Sequence, residues 1–161
     1  MFKCKINHHS GFTLIELVVV ILLLGILSVV AMGRLFDGNQ FAARGFFDDT
    51  VTAVRFAQKL AVSTGCAARV SITASSYQLF QGTTCASGTF TRAVVNPANR
   101  GNPYLNSDIP TGFSLTPATI TFNSRGFIDS GANVTVTLSE GATPTPFSFL
   151  VHGKTGLVQN L

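Results

Sequence analysis

One carboxylate stands where a carboxylate is expensive. From Phe12 to Met32 only Thr13, Glu16 and Ser28 carry polar side chains, and a charge inside such a run costs about 2.5 to 3.5 kcal/mol by insertion scales. Glu16 therefore needs either a cation to pair with or a proton to carry. Other groups capable of chemistry are sparse. The downstream region has a single histidine, His152, and its acids after the second helical stretch are Asp108, Asp129 and Glu140. Ser148 precedes His152 closely, but strand alternation would set Ser148, Leu150 and His152 on one face, with no strained nucleophile turn. Asp129 with Asn133 is short of the ligands a calcium loop needs. His8 and His9 are adjacent, yet no further Cys/His ligands lie at metal-site spacing. No Gly-rich phosphate loop occurs. The expectation is a chain with no catalytic residue, no cofactor and no metal.

Cys66 and Cys85 lie beyond the apolar run and Cys4 before it. If the downstream part is exported, it reaches an oxidising compartment where Cys66 and Cys85, separated by one hairpin, would pair. Such a loop would contribute about 3 kcal/mol in the chain-entropy model. Only 11% of the 161 residues are charged while 46% are hydrophobic, with 14 Phe and no Trp. That length holds an apolar helix and one ordinary domain. The net charge of +4 owes two charges to Lys3 and Lys5. Arg34, Arg44, Arg55, Arg69, Arg92, Arg100 and Arg125 are scattered singly, so no nucleic-acid partner is expected.

The first eleven residues hold Lys3 and Lys5, no acid, and end in Gly11. A secretory signal places its small-residue cleavage site after the apolar core, whereas here the small residue precedes it. Cleavage after Gly11 would remove a hydrophilic leader and leave the apolar segment as the new amino terminus. Basic residues ahead of the run orient that terminus toward the cytoplasm. At about 1.5 Å per residue, a helix from Phe12 to Met32 just crosses a hydrocarbon core of about 30 Å.

The run Gly11-Phe12-Thr13-Leu14-Ile15-Glu16 resembles the class III signal of type IV pilins and type II secretion pseudopilins. That resemblance implies a prepilin peptidase cutting between Gly11 and Phe12, N-methylation of Phe12, and no enzymatic activity. It also implies pairing of Glu16 with the amino terminus of Phe12 in an adjoining subunit, which would report axial register. Implied partners are other pilin or pseudopilin subunits, an inner-membrane assembly platform, and the lipid bilayer before assembly. The implied location is the Gram-negative inner membrane, crossed once, with a periplasmic domain that later joins a filament, in some members an adhesive fimbrium. Many members carry Pro near the end of the apolar half-helix, where this chain has Gly33 and no Pro before Pro97.

The positioning elements follow from periodicity. Phe47, Val51, Val54, Ala57 and Ala61 recur at helical spacing, Phe56 and Leu60 widen that face, and Arg44 and Asp48 are placed to pair. Thr64 and Gly65 end the helix. Expected strands are 67–72, 77–80, 89–95, 113–115, 119–122, 133–138, 147–152 and 157–159. Asn123-Ser124-Arg125-Gly126 and Gly153-Lys154-Thr155-Gly156 read as hairpin turns, the second joining the last two strands. Residues 96–110, with Pro97, Pro103 and Pro110, read as a long loop. The organisation expected is a leader at 1–11, a transmembrane and filament-core helix at 12–33, an amphipathic half at 34–65, and a β-rich domain at 66–161. The fold class is α+β, a long amino-terminal helix whose second half packs on an antiparallel sheet. The stretch Ile120-Thr121-Phe122-Asn123 to Gly126, Val134 to Leu138, Phe147 to Val151 and Gly153-Lys154-Thr155-Gly156 resembles the minor pseudopilin H and fimbrial T group. That likeness implies a minor subunit.

Overall fold

The computed structural model describes residues 12–35, 38–85 and 88–161, the side chains of residues 29–35 and of Pro146 excepted. The expected leader, Gly11 and the side chain at Arg34 lie outside the described residues. The chain forms two compact units, divided after Gly38.

In the first unit, α1 spans Leu14–Leu35. Leu, Ile and Val dominate it, and its described side chains end at Ser28. Among the described residues, no helix is long and apolar enough to cross a membrane.

The second unit begins at Asn39, within the first turn of α2, Gly38–Thr64. Its buried side chains are Ala43, Phe46, Phe47, Thr50, Val51, Ala53, Val54, Ala57 and Ala61, a stripe at three- and four-residue spacing that matches the helical period. Thr50, the polar member, donates its hydroxyl to the Phe46 carbonyl at 2.8 Å, so it is buried without an orphan group. Past Thr64 the chain needs a left-handed residue, and Gly65 supplies it with φ of 68°.

Among the described residues, nine strands follow in two antiparallel sheets where the sequence suggests one. The first contains β1 (Ala68–Ile72), β2 (Tyr77–Gln81), β3 (Arg92–Ala93), β4 (Leu105–Asn106) and β6 (Ala118–Phe122), ordered β3-β2-β1-β6 with β4 also on β2. The second contains β5 (Phe113–Leu115), β7 (Val134–Glu140), β8 (Thr143–Val151) and β9 (Val158–Asn160), in the order β5-β7-β8-β9. One core fills the space between them and α2. Val70, Leu79, Ile120 and Phe122 come from the first sheet, and Val136, Leu138, Phe149 and Val151 from the second, all fully buried. Adjacent helix residues divide the work: Phe46 meets Tyr77 of the first sheet with ring centroids 6.0 Å apart, and Phe47 meets Phe149 of the second at 5.7 Å.

Three expectations change. The strand expected over residues 89–95 shortens to Arg92–Ala93, because β2 is only five residues long and gives its first half to β4. The loop expected over residues 96–110 is consequently tied down: Tyr104 is buried, and its carbonyl accepts the Leu79 amide at 3.0 Å. The turn at 123–126 is followed by an isolated bridge, Phe122 with Ile128, rather than by a paired strand. The turn at 153–156 joins β8 to β9.

Candidate functional site

The first turn of α1 shows what surrounds Glu16. Thr13 stands at the N-cap, its Oγ1 accepting the Glu16 amide at 3.3 Å, while the Leu17 amide reaches the Thr13 carbonyl at 3.2 Å. A Thr followed three residues later by Glu is the capping-box arrangement, and a carboxylate in the first turn also complements the helix dipole. Sequence alone assigns Thr13 no role of its own, and its tie to Glu16 emerges only from this geometry. Ser28, the other hydroxyl, donates to the Leu24 carbonyl at 2.7 Å and makes no demand on a partner. Glu16 differs: among the described residues it has no ion pair.

Around Glu16 the surface is apolar. Phe12, Leu14, Ile15, Leu17, Ile21, Leu22, Leu23, Leu24, Ile26 and Leu27 are all exposed, Leu14 by 81%. A row of bare aliphatic side chains on a helix is an unfinished interface, since its burial would contribute about 25 cal/mol per Å². Chemically this region can do two things: partition out of water, and offer one carboxylate to a cation.

The second unit is finished by comparison. Asp49 on α2 accepts hydrogen bonds from the Tyr77 hydroxyl and from Asn106 Nδ2, the latter at 2.8 Å. Burial and the neighbouring Asp49 push both Tyr77 and Tyr104 above the ordinary phenol range. Thus one carboxylate fastens α2 to β2 and to the chain at β4. Gln58 does the same at the other end, its Nε2 donating to the carbonyls of Gly126 at 3.1 Å and Thr155 at 3.3 Å. The two turns nearly touch there: a Cβ on Gly156 would stand 1.9 Å from the Gly126 carbonyl oxygen, and one on Gly153 would stand 2.2 Å from that of Gly131. Glycine is required at both for lack of room, and at Gly156 also for its φ of 68°.

Cys66 and Cys85 are joined in a disulfide, with Cα atoms 4.3 Å apart. It closes the chain between the end of α2 and the segment after β2. His152 lies across the last hairpin from Gln159, with Nε2 and Oε1 3.2 Å apart, and Ser148 offers its carbonyl to the Leu161 amide. Asn133 spends its Oδ1 on the Gly153 amide. Arg44 and Asp48 form an exposed pair at 3.9 Å.

Comparison with known proteins adds two family matches. Residues 6–32 match the prokaryotic N-terminal methylation motif, and residues 48–153 match the type II transport protein GspH family. In fold, the chain is similar to the type IV minor pilin FimU of Pseudomonas aeruginosa strain PAO1. One crystal form gives a TM-score of 0.56 at 9% identity, covering 76% of this chain and 90% of that one. A second form gives 0.51 at 14% identity, covering 76% and 91%. Among curated protein sequences, none is significantly similar to this chain.

Proposed function

We propose a role that starts from one fact: this chain belongs to the type II transport protein GspH family. It is a pilin-like structural protein, a minor subunit of a pilus or pseudopilus filament, and it carries the N-terminal methylation motif. Prepilin peptidase cuts between Gly11 and Phe12, residues 1–11 are discarded, and Phe12 becomes the methylated amino terminus. Before assembly the apolar run from Phe12 to Met32 spans the inner membrane, its amino terminus cytoplasmic and the β-rich domain periplasmic.

Assembly then exchanges lipid for other subunits around α1. The observation that carries this reading is the contrast at its first turn: an exposed apolar surface and a capped Glu16 without an ion pair among the described residues. Inside a filament that carboxylate finds its cation in the amino terminus of Phe12 on a neighbouring subunit. A subunit misplaced along the axis leaves both charges unpaired, which makes the pair a check on register. Contacts of this kind use different surfaces on each partner, and they propagate into open helical filaments. Other pilin or pseudopilin subunits and an inner-membrane assembly platform are the remaining partners.

Mass spectrometry of sheared filaments tests the reading. The expected amino-terminal peptide begins at Phe12 and carries one extra methyl group. Filaments containing the chain from Met1, or filaments that never contain it, would overturn the proposal. The subunit is a minor one of a pilus; the family description favours a secretion pseudopilus as the second assignment. Co-purification with either set of subunits decides between them.

A further inference from the structure

The outward face of the first sheet carries a polar cavity for which filament assembly gives no reason. Alternation in β1 sends Ala68, Val70 and Ile72 into the core and Arg69 to the other face. There Arg69 stands in register with Thr121 of β6, and its Nε donates to Thr121 Oγ1 at 3.1 Å. One face of its guanidinium is covered by Phe90, with Cζ 4.0 Å from the ring centroid. An edge and a face are therefore fixed, and the terminal Nη groups are left to work.

A cavity of about 270 Å³ opens beside Arg69, lined further by Thr119, Asp129 and Ser130. The Asp129 backbone is pinned to the sheet, its amide donating to the Thr121 carbonyl at 2.9 Å. Among the described residues Arg69 and Asp129 form no ion pair. The cavity thus presents N–H donors at one wall, a carboxylate acceptor at another, and hydroxyls of both kinds between them. A free anion would meet Asp129 and a free cation would meet Arg69, so neither suits both walls. A ring bearing adjacent hydroxyls suits both, each hydroxyl accepting from the guanidinium or donating to the carboxylate. The volume is below the range for drug-sized ligands and matches a single small ring.

We propose that this cavity is a subsite for one ring of a neutral saccharide, held between Arg69 and Asp129. Thr121 and Phe90 position the guanidinium for it. The site is absent from any local motif, since its residues come from β1, β6, the segment before β3 and the chain after Ile128.

Saturation-transfer NMR on the full chain in dodecylphosphocholine micelles tests this, because a sugar-based detergent would compete. The probes are the methyl α-pyranosides of glucose, galactose and mannose, with acetate as the anion control. At least one glycoside should receive saturation, and Arg69→Gln or Asp129→Asn should each weaken its binding about tenfold, the loss expected for a hydrogen bond to a charged group. Thr121→Val, which frees the guanidinium edge, should weaken it less. Asp129 is exposed, so Asp129→Asn keeps the test valid if Arg69→Gln unfolds. No transfer to any glycoside, transfer untouched by Asp129→Asn, or binding of acetate alone would each overturn the proposal.

Discussion

Both helices carry apolar side chains, Leu, Ile and Val in α1 and Ala, Phe and Val in α2, and put them to opposite uses. In α2 the aliphatic and aromatic stripe is buried against two sheets, and its polar residues Asp49 and Gln58 have partners from other segments of the same unit. In α1 the described aliphatic side chains are bare, and only the cap and one internal hydroxyl bond satisfy its polar groups. The difference teaches where each helix finds its energy. The second is stabilised within its own unit, and the first, on the proposed function, takes its stabilisation from what surrounds it.

The sharpest way to break this comparison is to truncate one apolar side chain in each helix's environment. Phe149 is fully buried under α2, so Phe149→Ala should destabilise the second unit by about 3 to 5 kcal/mol. Leu23 on α1 is exposed, so Leu23→Ala should leave the thermal unfolding of that unit unchanged. Circular dichroism melts of the two full-length variants in one detergent check both halves. A large loss from Leu23→Ala would show that α1 is not independent of the fold.

A smaller effect is expected at the Asp49 junction. Tyr77→Phe removes a buried donor from Asp49 and should cost about 1 to 3 kcal/mol. The pH dependence follows from the raised phenol. In the unfolded chain Tyr77 loses its proton near pH 10, while in the fold it holds on longer. The stability it supplies is therefore fully present below about pH 10 and is lost as pH rises through the higher folded value. Denaturant titrations of Tyr77→Phe should show a shallower alkaline decline than the parent. The smallest effect belongs to the exposed Arg44–Asp48 pair, where Arg44→Ala should cost less than about 0.5 kcal/mol in the same titration.

What could be read from sequence divides along the same line. The stripe Phe47, Val51, Val54, Ala57, Ala61 is legible because helical periodicity is local. So is the apolar run with Glu16 near its start, because both lie within one short stretch, whereas the Thr13 cap appears only in the structure. The split into two sheets is not, because it depends on β1 pairing with β6 some fifty residues on, as in Val70 with Ile120. The role of Asn106 was hidden for a similar reason. Residues 96–110 show turn formers and little alternation, and nothing local says that Tyr104 and Asn106 are claimed by β2 and α2. Gly153 and Gly156 read as turn residues, whereas their stronger constraint is the backbone of other segments a few ångströms away. The cavity beside Arg69 has no sequence signal, since its walls meet only through sheet register.

On the proposed function Glu16 acts between subunits rather than within one. Quantitative immunoblotting of sheared filaments from cells expressing Glu16→Val, beside the membrane-fraction level of the same variant, tests it most directly. Membrane levels should be normal or higher, because an intramembrane charge has been removed, while the loss from filaments should be at least about a hundredfold, the effect of leaving one buried charge unpaired. Incorporation at the parent level would contradict it and would leave Glu16 no role beyond the first turn of α1.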